Sequence, residues 1–278
     1  MTKRIVTGII LAAVVLGVVG FGPFWLLAPL LWLAVLAALH EFLGLQDGVL
    51  DPMDRAIGVL AGALLLSIVS YYPSETLMPM LIMTLAILSV VLLLYVLFRP
   101  GAIETAGPRA STLLSGLMYV ALLGSFALMI ARPETGPKGR IVLLMVAAVT
   151  WLNDTMAFFG GKLMGKHRLY QKVSPNKTWE GSVTGLAGSV IGAFIIKWVF
   201  VDLMQVVEVW SMPAWQLVAF AVVGGALGQV GDLVESVFKR SYGVKDSGAI
   251  IPGHGGMLDR IDAFLFVAPF GFFFFYFV

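Results

Sequence analysis

The chain has 278 residues, 59% of them hydrophobic and 12% charged, with a mean hydropathy of +0.95 and a formal net charge of +2. Apolar content this far above that of a water-soluble domain indicates a polytopic membrane protein, and a nearly neutral charge without a basic, aromatic-interleaved stripe argues against nucleic-acid binding. There is no cysteine, which excludes disulfides, thiolate zinc sites and a cysteine nucleophile, so any metal must be held by oxygen or imidazole.

A bilayer core takes about 20 apolar residues per helix, and nine stretches meet that ruler, near 4–20, 23–40, 56–72, 77–98, 112–131, 140–161, 182–200, 214–238 and 261–278. The predicted fold class is therefore all-α, a polytopic integral membrane protein. Lys3 and Arg4 precede the first apolar run. No small-residue cleavage site follows before the next run, so it reads as a retained span rather than a signal peptide. With nine spans, the N-terminus and the loops after the even-numbered spans share one side. That side holds Lys3, Arg4, Arg55, Arg99, Arg109, Lys162, Lys166, Arg168, Lys172, Lys177, Lys239, Arg240, Lys245 and Arg260, leaving only Arg132, Lys138, Arg140 and Lys197 opposite. The positive-inside rule then makes the N-terminus and the long polar loops 162–181 and 239–260 cytoplasmic. Chemistry divides the chain into 1–135, spans one to five, and 136–278, spans six to nine with both loops.

Between the second and third spans, His40, Glu41, Asp47, Asp51 and Asp54 form an acidic patch in a cytoplasmic loop, with the three aspartates expected to be solvated surface. Asn153 and Asp154 end the sixth span. In the following loop, KLMGKHRLYQKVSPNKTWEG, the segment Ser174 to Thr178 reads as a proline-braced turn carrying Lys177 and two hydroxyls to the membrane face, with Glu180 close behind. Lys162, Lys166 and Arg168 fit a basic surface near anionic headgroups.

In the eighth span, Asp232, Glu235, Ser236 and Lys239 fall at i, i+3, i+4 and i+7, one polar stripe over two turns that cannot face lipid. A structural salt bridge would explain such a stripe, but ionisable residues recurring at three spans point to a site. Asp259 and Asp262 open the ninth span. Three carboxylate-bearing helix ends meeting on one side would form an all-oxygen cage, the ligand chemistry of Mg²⁺. Asp232 and Asp259 are the leading ligand pair, with Asp154, Glu235 and Asp262 as further candidates. Loop 239–260 adds Lys239, Arg240 and Lys245 for phosphate oxygens, and Gly253, Gly255 and Gly256 for close backbone approach to an anion. His254 reads equally as a phosphate donor or a structural pin. Neither GxxxxGK[ST] nor GxGxxG is present, so no soluble nucleotide fold is implied.

These residues resemble the signature of the phosphatidate cytidylyltransferase (CDP-diacylglycerol synthase) family: Ser236, Lys239-Arg240, Lys245-Asp246, Pro252-Gly253-His254-Gly255-Gly256 and Asp259-Arg260-x-Asp262. NDTMAFFGGKLMGKH, SPNKTWEG and GDLVES are similar to the family's other polar blocks, so the likeness concentrates in 150–278. The chain departs from many relatives at Phe158 and Gly161. The resemblance implies the reaction CTP + phosphatidate → CDP-diacylglycerol + pyrophosphate, dependent on Mg²⁺ with a second, monovalent or divalent, cation left open, in a homodimer of a bacterium-like inner membrane. It implies a catalytic group of Asp232, Asp259, Lys239, Arg240, Asp246 and His254. Substrate contacts would come from Ser174, Lys177, Thr178, Glu180, Ser236, Lys245, Gly253, Gly255, Gly256 and Arg260. Two rivals remain: an ion-coupled transporter, although no partner set of polar residues stands in the first half, and a CTP-dependent relative acting on an isoprenoid lipid.

Overall fold

A computed structural model describes residues 16–46, 48–99, 101–207, 212–248 and 255–277. Most of the predicted first span, with Lys3, Arg4, Asp47, Pro252, Gly253 and His254, lies outside the described residues. The chain is an all-α polytopic membrane protein, with seven helices among the described residues long and apolar enough to cross a bilayer.

Residues 16–21 are helical and turn at Gly22 into helix α1 (Phe24–Gly44). A Cβ at Gly22 would stand 2.5 Å from the Val18 carbonyl oxygen, so only glycine makes this corner. α1 continues past the predicted end of its span at residue 40. Phe42 and Leu43 keep its buried face apolar, and His40 and Glu41 therefore lie on the helix instead of in a loop.

Helix α2 (Pro52–Tyr71) starts with a capping box. The Asp51 side chain accepts from the backbone N–H of Met53 and Asp54 at 2.8 and 3.0 Å, and Asp54 accepts from the Asp51 N–H at 3.2 Å. Pro52 at the first helical position loses no hydrogen bond. The expectation of solvated aspartates fails at Asp54, which is 1% exposed. Being the third residue of the helix turns it inward, where it accepts from Arg109 at 2.9 Å and Tyr95 at 2.9 Å and pairs with Arg99 at 2.5 Å. Asp51 is half exposed and also pairs with Arg99. These bonds tie the start of α2 to the end of α3 (Ser74–Phe98) and the first turns of α4 (Ile103–Ala131). On α3, Leu77, Leu81, Leu88, Leu92 and Val96 make one buried stripe, while Ile82, Ile87, Leu93 and Leu97 face outward, as a lipid-contacting helix requires. α4 carries a π-helical stretch, Gly116–Leu122. Leu39 and Leu43 pack on Gly116 without room for a Cβ.

Helix α5 (Gly136–Met164) is followed by an antiparallel hairpin, β1 (Arg168–Tyr170) and β2 (Ser174–Thr178), where the sequence suggested a braced turn. The Trp179 N–H donates to the His167 carbonyl at 2.9 Å and closes the hairpin base. Thr178 then caps helix α6 (Trp179–Ile196) by accepting from the Gly181 N–H at 3.1 Å. α5 and α6 pack along most of their lengths. A Cβ on Gly185 or Gly192 would stand 2.8 Å from Asn153 Oδ1 or the Ala148 carbonyl, and one on Gly188 2.5 Å from the Leu152 carbonyl. This small-residue stripe lets the backbones approach, as in many membrane helix pairs.

Helix α7 (Ala214–Ser241) and helix α8 (Leu258–Phe277) complete the bundle. α8 packs on α1, α4, α5 and α7, so the two chemically distinct halves share one core. Its phenylalanines pack there, Phe270 stacked on Phe220, Phe274 tilted against the same ring and Phe272 edge-on to Phe126.

Candidate functional site

Helical spacing puts Asp232, Glu235, Ser236 and Lys239 on one face of α7, and that face is inward: Glu235 is 1% exposed, Ser236 and Lys239 are buried, and Asp232 is half buried. Each charge meets an opposite one. Lys177 Nζ lies 2.6 Å from Asp232 Oδ2, bringing β2 onto the helix. Lys239 pairs with Glu235 one turn back and with Asp259 Oδ1 at 2.6 Å. The Ser236 hydroxyl leans toward Asp232 at 3.4 Å.

Two further helices, α5 and α8, bring charges to this face. A Cβ on Gly231 would stand 2.7 Å from the Asp262 carbonyl oxygen, so glycine permits the crossing that sets α8 against α7. Asp262, which is buried, lies within electrostatic reach of Asp232, Glu235 and Asp154, and Asp154 on α5 within reach of Asp232, Lys177 and Arg260. Carboxylates of three helices thus come near one another, but the expected meeting of helix ends is not what brings them there: only Asp259 and Asp262 open a helix, whereas Asp154 and Asp232 lie within α5 and α7, whose helical hydrogen bonding runs on past them. Nor is there a ready-made cage, since no three acidic or histidine side chains among the described residues converge closely enough to hold a metal by themselves.

The two leading aspartates have different surroundings. Asp259 is saturated, accepting from Lys239, from the Gly256 N–H at 2.8 Å and from the Ser247 N–H at 3.1 Å. Asp232 has one lysine and a distant hydroxyl, with Asp154 and Asp262 nearby.

Several expected substrate contacts have structural employment. Lys239 and Arg240 belong to the last turn of α7, not to a loop, because helical hydrogen bonding runs on to Ser241. Lys239 is held between two carboxylates, and exposed Arg240 donates to the Val244 carbonyl at 3.0 Å. Thr178 is the α6 cap. Glu180 accepts from the Lys166 and His167 N–H groups at 3.1 and 3.2 Å and from His167 Nδ1 at 2.6 Å, fixing the hairpin to α6. Ser174 pairs with Tyr170 at the far end of β2. Lys245 and Asp246 are exposed, and neither forms an ion pair among the described residues. Arg260 is exposed beside Asp154. Gly255 has φ +81°, a left-handed conformation that favours glycine, and Gly256 is buried with its N–H on Asp259.

Three contributors are not among the site residues expected from the sequence, although Glu41 and Asn153 stand out there as polar residues at span ends. Glu41 reaches the loop before α8, where its Oε2 accepts from the Leu258 N–H at 2.8 Å and the Ser247 hydroxyl at 3.2 Å. Tyr119, on the π-helical stretch of α4, packs against Phe42, Phe238 and Phe266 with its hydroxyl buried and without a hydrogen bond among the described residues, in the field of Asp262, Glu235 and Asp232. Asn153 joins a buried network: it donates to Ser189 at 2.8 Å and accepts from Gln229 at 3.0 Å, and Gln229 accepts from Ser182 at 2.5 Å. The continued apolar run after Glu41 was the available signal for that residue. A lone tyrosine, serine or glutamine in a span carries none.

The site has a surplus of negative charge. The five acids Asp154, Asp232, Glu235, Asp259 and Asp262 face three cations, Lys177, Lys239 and Arg260. Oxygen donors in excess over cations, with Asp232 lightly engaged, suit a hard divalent ion that takes one or two carboxylates and completes its shell with water and phosphate.

The sequence profile of the Cytidylyltransferase family matches residues 2–278. Among individual proteins, the chain is 48% identical over 136 residues to a phosphatidate cytidylyltransferase of Staphylococcus saprophyticus and 47% identical over 136 residues to proteins of the same name from Staphylococcus epidermidis and Staphylococcus aureus. Each alignment covers 49% of this chain and 49% of the relative, so the match spans about half the length of these curated proteins.

Proposed function

Since this chain belongs to the cytidylyltransferase family, we propose that it transfers the cytidylyl group of CTP to phosphatidate, giving CDP-diacylglycerol and pyrophosphate at the cytoplasmic face of a bacterial inner membrane. The observation that carries this reading is the inward stripe Asp232–Glu235–Ser236–Lys239, joined by Lys177, Asp154, Asp259 and Asp262 at one end of a membrane bundle. A lipid headgroup arrives at that depth, and a water-soluble nucleotide reaches it from the adjoining aqueous side. The names of the staphylococcal relatives support the same substrate pair.

The second pKa of a phosphate monoester is near 6, so the lipid phosphate is mostly dianionic at pH 7 and attacks the α-phosphorus without a side-chain base. The new bond joins a lipid phosphate oxygen to that phosphorus, the bond to the bridging oxygen of the β-phosphate breaks, and pyrophosphate leaves with the electron pair. The chain's task is to position two polyanions and offset their charge. Lys177 and Arg260 are the cations suited to phosphate oxygens, Lys177 exchanging part of its hold on Asp232 as substrate binds. Lys239 and Asp259 keep the loop before α8 in place. The donor set fits Mg²⁺, which Asp232 would hold with Asp154 and Asp262 as the neighbouring carboxylates and water and phosphate completing its shell; a bound Mg²⁺ would supply Lewis-acid charge to phosphoryl oxygens. A homodimer is the expected assembly.

The test is direct. Purified protein in detergent, given phosphatidate, radiolabelled CTP and Mg²⁺, should yield a CDP-lipid, with a parallel arm offering a polyisoprenyl phosphate. Label on the isoprenoid alone would move the substrate assignment, and label on neither would refute the activity.

A further inference from the structure

The segment between α7 and α8 begins and ends on two carboxylates from opposite halves of the chain. Asp259, at the start of α8, accepts from the Ser247 and Gly256 N–H groups, and its own N–H donates to Ser247 Oγ at 3.3 Å. The Ser247 hydroxyl in turn donates to Glu41 Oε2, which also takes the Leu258 N–H. Ser247 thereby links the two acids, and the chain leaving α7 is closed onto the chain approaching α8. Glu41 is 5% exposed and comes from α1, more than 200 positions earlier in the sequence. The fit is tight: a Cβ on Gly256 would stand 2.5 Å from Glu41 Oε2, and one on Gly248 would collide with the same carboxylate.

A buried carboxylate is costly unless its oxygens find donors. Here one oxygen receives a backbone N–H and a hydroxyl, while Oε1 has no hydrogen bond among the described residues. Retaining an acid in this place, where an apolar residue would pack more cheaply, is accounted for by what it holds. The same loop base orients Asp259, and Asp259 orients Lys239 beside Glu235. Displacing Glu41 therefore loosens a chain of contacts that ends in the polar stripe of α7.

We propose that Glu41 is a positioning residue for nucleotidyl transfer: from the scaffold half of the chain it clamps the base of the loop before α8 and so fixes Asp259 and Lys239. The clamp itself is independent of the assigned substrates; its effect on turnover rests on the proposed function. Glu41 touches neither reacting phosphate in this account. Losing it lowers turnover by misplacing the groups it holds, and misplacement of this kind costs about 100-fold.

Two measurements test this on the full-length protein in detergent. The first is hydrogen exchange, which needs no activity. Glu41→Ala should speed exchange across 247–248 and 255–259 while leaving α2, α3 and α5 as in wild type. Unchanged exchange in those segments would overturn the clamp. The second is kinetic and uses wild type, Glu41→Ala, Glu41→Gln, Ser247→Ala and the Glu41→Ala/Ser247→Ala pair. Glu41→Ala should lose about 10- to 100-fold in kcat with a smaller change in KM for CTP. Glu41→Gln, which keeps the acceptor oxygen, should recover most of the rate. The double variant should lose no more than the worse single one, as expected for residues acting through one contact. An active wild type whose rate is insensitive to Glu41→Ala, or strictly additive losses in the pair, would refute the positioning role. An inactive wild type would instead refute the proposed function, with exchange still deciding the clamp.

Discussion

Lys177 on strand β2 meets Asp232 on helix α7 at 2.6 Å, so the hairpin between α5 and α6 is docked on the polar stripe by its one inward cation. Both side chains keep about a quarter to a third of their exposure, 26% and 30%. A pair this open to solvent contributes little to stability, on the order of 1 kcal/mol or less. Under the proposed function, its place beside Asp154 and Asp262 makes its role chemical instead.

Lys177→Met should therefore reduce CDP-lipid formation by about 100- to 1000-fold, the scale on which removing one preorganised electrostatic group slows turnover, with the apparent melting temperature in detergent unchanged. Steady-state kinetics beside a thermal melt checks this. A variant that melts early and retains its rate per folded molecule would make Lys177 a structural residue.

Asp232 and Asp259 should separate in the same way. Asp259 and Lys239 are 13% and 11% exposed, and Asp259 holds two loop N–H groups. Asp259→Asn leaves a mostly buried ammonium underpaired and should cost about 3 kcal/mol of stability as well as turnover. Asp232→Asn should abolish turnover in a protein that melts like wild type. Equal thermal losses in the two variants would contradict the division of labour drawn between them.

Much of this arrangement was legible in the sequence because periodicity and hydropathy are local properties. The α7 stripe follows from helical spacing alone, and the helices follow from apolar length. The burial of Asp54 is not legible because its surroundings are not local: a helix start turns it toward Arg99 and Arg109, which lie about 45 and 55 positions later. For Glu41, the polar pair His40-Glu41 marks a span end in the sequence, whereas in the fold Phe42 and Leu43 carry the buried face onward. The β-hairpin was hidden by its proline and by strands too short to alternate clearly. Which aspartate would be saturated and which left open depended on backbone donors of Ser247 and Gly256, and side-chain patterns do not reveal these.

The buried Asp54 gives a prediction for the first half. Asp54→Leu leaves Arg109, itself 5% exposed, without its acid and should cost about 3–5 kcal/mol. Adding Arg109→Leu should restore part of that loss, since an apolar pair replaces an ion pair more cheaply than half a pair can stand alone. Thermal melts of the single and double variants, with turnover per folded molecule retained, check it. A double variant less stable than Asp54→Leu would contradict the account.

The proposed orientation can be read with single thiols, because the chain has no cysteine of its own. Lys172→Cys on the hairpin should resist a membrane-impermeant maleimide in intact cells and react after permeabilisation, whereas Lys138→Cys at the start of α5 should react in intact cells. The reverse pattern would invert the topology, and equal reactivity would break the alternation of sides on which the nine-span reading depends.

Nucleotidyl transfer to a lipid phosphate is the reaction proposed for the Asp232 site. The most direct measurement follows α-labelled and γ-labelled CTP separately, with phosphatidate, Mg²⁺ and purified protein, for wild type and Asp232→Asn. Wild type should put α-label in CDP-diacylglycerol and γ-label in pyrophosphate in equal amount, and Asp232→Asn should give neither. Full activity in Asp232→Asn, or CTP left intact by a folded wild type, would contradict it.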